Sequence, residues 1–232
     1  MRRVLVFLAV VAVAVSMGVP AAAGGGGGDA ARKLYPPDAE PFGLSYAEWQ
    51  GAYQIWLNEI PAPENPIADP ASPLNCAEQR GGKVVFLGPA GADCTVSDEA
   101  ALVVTSAFGF WECSTAEGLG DTWAELRSCA RNNFARDLDP DIFHQSVYID
   151  GKRLRHQRDW VDLTPGEIID FPDPNIWNAE PGLSKSVTKG FLFILRPLSE
   201  GRHRIVIDVQ ADVISDDVFH FVWKLHVVDE DD

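Results

Sequence analysis

Three carboxylates recur at alternate positions in Asp137-Leu138-Asp139-Pro140-Asp141, the spacing at which an oxygen-rich loop can hold calcium. The stretch lacks the glycine and the closing glutamate of an EF-hand, so a solvated acidic loop competes with a calcium site at Asp137, Asp139 and Asp141. Calcium is the one cofactor the sequence suggests. A second acidic group, Asp212, Asp216 and Asp217, and the tail from Asp229 to Asp232 read as solvated. The histidines are His144, His156, His203, His220 and His226. His220 and His226 fall on one strand face, but six residues of strand hold them roughly 20 Å apart. One ion cannot bridge that gap.

Catalytic patterns are missing. No Gly-x-Ser-x-Gly elbow presents a nucleophile. Glycoside hydrolysis needs two carboxyl groups in a defined geometry, and Glu78, Glu112 and Asp170 stand out no more than the other acidic residues. Binding chemistry is better represented. Trp160, Phe171 and Trp177 lie in or beside a stretch rich in Pro, Gly, Asp and Asn, where they are candidates to stack on a sugar ring or a protein partner. Burial under that stretch is the competing reading. Arg153, Arg155, His156 and Arg158 form the one basic cluster of an acidic chain, able to dock an acidic group or to balance local charge.

Cys76, Cys94, Cys113 and Cys129 complete the chemistry. An even count in an exported protein argues for two disulfides, with three pairings open. Cys76–Cys94 with Cys113–Cys129 is favoured, since each bridge then closes a local loop with its own turn residues. Loops of that size contribute roughly 3 kcal/mol each by the chain-entropy estimate. Zinc sites usually draw on close Cys-x-x-Cys pairs, and none occurs here.

The elements that must position these residues are mostly strands. One helix opens the chain's folded part: Ser45-Tyr46-Ala47-Glu48 is a capping box, and Tyr46, Trp49, Tyr53, Trp56 and Leu57 share one face behind it, predicting a contact with a sheet. Pro61 and Pro63 stop it, and 61–73 reads as an extended surface segment. Strands are predicted over Lys83–Leu87 and Ala100–Phe110, the latter as one buried central strand. Trp123, Leu126, Ala130 and Phe134 predict a second helix over Thr122–Arg136 with Asp121 as its cap. Gln145–Ile149 runs into Asp150-Gly151, a strong hairpin dipeptide. Asp162–Leu183 reads as a long ordered loop. Lys185–Leu195, His203–Val209 and Phe219–Val227 follow as strands with strict alternation, one face buried and one wet. The sum is a mainly β fold, an antiparallel β-sandwich or jelly-roll-like domain with one or two peripheral helices.

The N-terminus carries an export signal: Arg2 and Arg3, an apolar run from Val4 to Val15, then Ala21-Ala22-Ala23 as a cleavage site. That run is shorter than the about 20 residues a permanent span needs, so release without a stable membrane anchor is expected. The expected organisation is a signal peptide over 1–23, a flexible tether over 24–40 and one disulfide-stapled domain over 41–232. A net charge of −15 repels a phosphate backbone and anionic membranes, which argues against nucleic acid as a partner and leaves cations, neutral glycans or basic protein patches open.

Several stretches together resemble a family of uncharacterised secreted bacterial proteins. They are Tyr46-Ala-Glu-Trp49 with Trp56, Asn65-Pro66 and Asp69, then Cys76, Gln79, Gly82 and Val84–Leu87, then Cys94-Thr95-Val96. Tyr148-Ile-Asp150-Gly151 and Pro197-Leu198, Gly201 and His203 with the last strand complete the set. The family tends to carry a Pro-Gly turn and a Phe-Phe-Pro strand after the second cysteine, where this chain has Ser97-Asp98-Glu99 and Val103-Val104-Thr105. The resemblance implies export and fold. Without a catalytic constellation, the residues point to a secreted, non-enzymatic module that binds a glycan or an extracellular protein. A carbohydrate-acting hydrolase and a structural component of the cell surface are the alternatives.

Overall fold

The computed structural model describes residues 30–69, 71–137, 143–211 and 215–229. Along the chain run α1 (Tyr46–Asn58), β1 (Cys76–Gln79), β2 (Val84–Leu87), β3 (Ala92–Ser97), β4 (Ala101–Val104) and β5 (Phe110–Ser114). Then come α2 (Trp123–Asp137), β6 (Phe143–Ile149), β7 (Lys152–Arg153), β8 (Val161–Leu163) and β9 (Glu167–Phe171). The chain closes with β10 (Gly182–Phe191), β11 (Phe193–Leu195), β12 (Gly201–Ala211) and β13 (Ser215–Val228). The mainly β expectation with two helices holds.

The strands fall into three sheets. One has the order β1-β2-β4-β11, another is built on β10 with β5 on one side and β8 and β9 on the other, and the largest runs β3-β13-β12-β6-β7. Most pairings are antiparallel, but β2–β4 and β3–β13 are parallel. One continuous core reaches all three sheets, with Trp49, Tyr53, Phe86, Phe193 and Trp223 among its largest members, and a second, smaller cluster of Cys113, Leu126, Ala130 and Val187 joins α2 to β5 and β10. Both disulfides pair as favoured, Cys76 with Cys94 and Cys113 with Cys129.

Local chemistry explains the helices. Glu48 donates its backbone N–H to Ser45 Oγ while its carboxylate accepts from the Ser45 N–H at 2.8 Å, a closed capping box. Trp49, Tyr53 and Trp56 then meet Phe86 of β2 with ring centroids 6.0, 5.4 and 5.5 Å apart, so the aromatic stripe serves the core. α2 is capped by Thr122 rather than Asp121. Thr122 Oγ1 accepts from the Glu125 N–H, and the Glu125 carboxylate accepts from the N–H groups of both Asp121 and Thr122. The threonine wins because its oxygen lies three residues before a glutamate that can answer it.

Other boundaries differ from expectation. Ala100–Phe110 is two strands in two sheets, separated by a turn in which the Gly109 N–H reaches the Ser106 carbonyl. Lys185–Leu195 also splits. Leu192 gives its N–H to the Trp160 carbonyl, and the chain leaves one sheet as β10 and enters another as β11. The expected loop over Asp162–Leu183 contains β8, β9 and the start of β10. Its polar composition hid them because the ladder is supplied by β10 rather than by local propensity.

The tether reading is corrected for residues 30–40; residues 24–29 lie outside the described residues. Ala30–Lys33 forms a 3-10 turn, and Ala30 and Leu34 are buried. Leu34 bridges Leu195, Tyr35 donates its N–H to the Ile194 carbonyl, and Arg196 donates to the Lys33 carbonyl. Lys33 and His203 both face the carboxylate of Asp150, His203 at 2.8 Å. Main-chain pairing with β11 and burial of Leu34 hold this segment, two features that composition does not reveal.

Candidate functional site

The aromatic residues singled out from sequence are occupied by the fold. Trp160 is 6% exposed and its indole N–H donates to the Tyr35 carbonyl at 3.1 Å. Phe171 is buried in β9, and Trp177 donates to Asn58 Oδ1 at 2.6 Å. Trp160 and Phe171 offer no open face to a ligand, since rings large enough to stack are also the best core fillers, whereas Trp177 is half-buried against the core. Asp139 and Asp141 lie outside the described residues. Asp137 ends α2 and pairs with Arg136. Among the described residues no three metal-ligating side chains converge, and no helix is long and apolar enough to cross a membrane.

Two other regions concentrate polar chemistry. The first is a buried seam under α1. Beside its aromatic stripe the helix carries Gln50, Gln54 and Asn58, all buried, against β8, β9 and β10. Asn58 Nδ2 donates to Glu112 Oε2 at 2.6 Å, and Ser186 Oγ donates to Glu112 Oε1 at 2.8 Å. Burial, and then the charge of Glu117, push the Glu112 carboxyl up to about 8. Burial likewise raises Glu167, which lies so close to Gly51 that a Cβ there would collide with its carboxyl. Turned to satisfy both partners, the Gln50 amide pairs with the N–H and C=O of Gly190 at 3.2 Å each. Of the carboxylates considered from sequence, Glu112 is the one in an unusual setting. A carboxyl neutral at pH 7 has the charge state of a general acid, yet both of its oxygens are held by protein groups. Here it fastens the helix to the sheet.

The second region is exposed. Successive strand residues alternate faces, so the register of the five-stranded sheet decides what gathers on its outer side. Arg204 of β12 lies opposite Lys224 of β13, and Arg202 lies opposite His226. Tyr148 of β6 lies opposite Val206 on one side and Arg153 of β7 on the other. Arg153, Arg202, Arg204, Lys224, His144, His220 and His226 are all exposed. Acidic residues also lie there: Asp93 of β3, opposite Lys224, Asp208, bonded to His220 at 2.8 Å, and Asp150, whose Oδ1 accepts the Arg204 N–H at 2.9 Å. Like charges directly opposite across strands are unfavourable. The Arg204–Lys224 pair therefore persists against its own repulsion, in a chain with a net charge of −15.

The sheet's β6–β7 side continues into the basic cluster seen in the sequence. Leu154 is buried there and donates its N–H to the Val147 carbonyl at 2.8 Å, which anchors the segment 153–159 along β6. Two clefts border it. One, of about 240 Å³, is lined by Phe143, His144, Gln145, Ser146, Arg153, Gln157, Arg158 and Phe191. The other, of about 600 Å³, is lined by residues 153–159 themselves, including Arg155, His156 and the acidic Asp159. Sequence reading found the cluster 153–158 and the wet faces of β12 and β13. It did not join them, because cross-strand register is not written in any one segment.

No family model and no curated protein matches this chain. Among solved structures, the solution structure of amebosin is similar at a TM-score of 0.22 and 11% identity, covering 62% of this chain and 96% of that one. A crystal structure of a cysteine protease inhibitor from Entamoeba histolytica is similar at a TM-score of 0.23 and 7% identity, covering 62% and 93%. Likenesses this slight carry no argument about fold or function.

Proposed function

We propose that this chain is a secreted, non-enzymatic binding module that takes an acidic ligand, a glycan or the acidic surface of a protein, on the outer face of its five-stranded sheet. The observation that carries the reading is the opposition of Arg204 and Lys224, flanked by Arg202 and Arg153, on one exposed face of an acidic molecule. An anion lying between such groups turns their repulsion into attraction. Export is supported by the signal-like sequence over 1–23 and by the two disulfides, which persist in oxidising compartments. The test is binding of the chain to immobilised polyanions and neutral polysaccharides at low and high salt. Acidic ligands should bind, lose affinity as salt rises, and lose it again with Arg204→Glu plus Lys224→Glu. Equal binding of neutral and acidic ligands, or indifference to that double change, would sink the reading.

The hydrolase alternative has one observation in its favour, the Glu112 carboxyl held up to about 8. Its check is release of reducing ends from whichever polysaccharide binds. Release that disappears in Glu112→Gln would establish catalysis; no release would leave the carboxyl as a structural clamp.

A further inference from the structure

We infer that the ligand of the sheet face is a polyuronate, a polysaccharide with one carboxylate on each ring, whose rings lie on an apolar stripe that crosses the strands through Tyr148. The inference rests on the binding reading above and names its ligand. The stripe follows from the register. Val222 of β13 lies opposite Val206 of β12, Val206 opposite Tyr148 of β6, and Tyr148 opposite Arg153 of β7. Neighbouring strands stand about 4.8 Å apart, so the row is about 14 Å long. Tyr148, Val206 and Val222 are half-buried, yet none of them belongs to the core or packs against it. Tyr148 differs in this from the other three tyrosines. Tyr46 and Tyr53 give their hydroxyls to main-chain carbonyls, and the Tyr35 ring meets that of Phe42. Among the described residues, the Tyr148 side chain has no ring, cation or hydrogen-bond partner.

The flanks of the stripe set the charge of its occupant. Two residues along each strand, about 7 Å away, Lys224 and Arg204 form a basic row on one side. Asp93 answers Lys224 from β3, on the side away from Arg204. Arg153 closes the end of the stripe, with a guanidinium N–H on Ser146 Oγ at 3.3 Å that keeps it on this face. On the other side Asp208 is bonded to His220. A sugar ring matches this pattern: its C–H groups suit the apolar row, and a carboxylate on its rim reaches the basic one. One carboxylate per ring also matches one basic group on each of β13, β12 and β7. A peptide fits less well. Extended peptides add to a sheet edge, where main-chain groups are open, and β13, β12 and β6 are all interior strands. A folded acidic protein needs about 800 Å² of contact, and this stripe is one side chain wide.

Calorimetric titration of the full chain tests this, with oligogalacturonates, their methyl esters and poly-glutamate of matched charge. The oligogalacturonates should bind. The methyl esters keep the rings without the charge and poly-glutamate keeps the charge without the rings, and each should bind at least about tenfold more weakly. Tyr148→Ala should weaken the oligogalacturonates about threefold to tenfold, whereas Tyr148→Phe should hold affinity within about twofold, because the ring and not the hydroxyl makes the contact. An aromatic residue packed across strands on a β-branched neighbour also steadies a sheet. If that were all Tyr148 does, its replacement would shift unfolding and leave affinity unchanged, and the inference would fall. Poly-glutamate binding as tightly as the sugar acid would overturn it too. In either of those cases, binding that still drops with Arg204→Glu plus Lys224→Glu would keep the sheet-face reading and discard only the polyuronate. Methyl esters binding as tightly as the free acids, or no binding by any of the three, would discard both.

Discussion

The seam beneath α1 and the outer face of the five-stranded sheet use polar residues in opposite ways. In the seam, Asn58, Glu112, Ser186 and Trp177 bond one another, and the charge that Glu112 would carry is suppressed by its own surroundings. On the sheet face the charges are kept and left in water, with Arg204 set against Lys224 and only partly answered by acidic neighbours such as Asp93 and Asp208. Polar groups that satisfy each other report on stability, and polar groups that strain against each other while exposed report on a partner. By that criterion the more unusual carboxyl marks the structure, and the ordinary arginines and lysine mark the function.

Breaking the seam should have the largest effect on stability. Glu112→Ala leaves the Asn58 amide and the Ser186 hydroxyl unanswered in a buried setting, for an expected loss of about 2–3 kcal/mol in denaturant unfolding. Binding per folded molecule should not change. A loss of binding equal to the loss of stability would mean that the two regions are coupled.

The pH dependence of unfolding sharpens the contrast next. An unfolded Glu112 releases its proton near its ordinary value of 4.5, while the folded protein keeps it until about 8. Between those values the folded state holds the extra proton. Stability from this group is therefore full below about pH 4.5 and falls as pH rises to about 8. Glu112→Gln should flatten that part of the stability profile, as read from unfolding midpoints across the interval. A profile unchanged by the substitution would remove Glu112 as its cause.

The sheet face should answer the same measurements weakly. Arg204→Glu with Lys224→Glu is expected to shift stability by no more than about 0.5 kcal/mol while removing most polyanion binding. Smallest of all, Lys224→Gln should stabilise the free protein by about 0.2–0.5 kcal/mol, because it relieves a cross-strand repulsion. Thermal unfolding at low salt is the place to see it, since added salt screens the same repulsion. A destabilised Lys224→Gln would show that Asp93, opposite on β3, outweighs Arg204 as its neighbour.

Much of this was legible where sequence and structure share a local rule. The capping box at Ser45, the hairpin at Asp150-Gly151, the two disulfide loops and the alternation of β12 and β13 all arise from residues close together in the chain. What stayed hidden depends on partners far apart. β9 pairs with β10 across a polar, proline-bearing stretch. Phe191–Leu195 is buried on every side, so no alternation shows where one sheet ends and the next begins. The burial of the polar Gln50, Gln54 and Asn58 on α1 comes from β8, β9 and β10 set against the helix. Trp160, Phe171 and Trp177 carried the right chemistry for a ligand, and the core claimed the first two and packs against the third.

The segment at residues 33–35 has a consequence beyond anchoring the start of the fold. β11 is the last strand of its sheet, and the row of main-chain groups on its outer side is answered by Lys33, Leu34 and Tyr35. Those three residues act as a cover on what would otherwise be an open template for another chain. Proteolysis just after Tyr35 would leave α1 and its cap intact while uncovering that template. Such a trimmed protein should self-associate through β11 in proportion to its concentration, whereas the uncut chain should not use that edge.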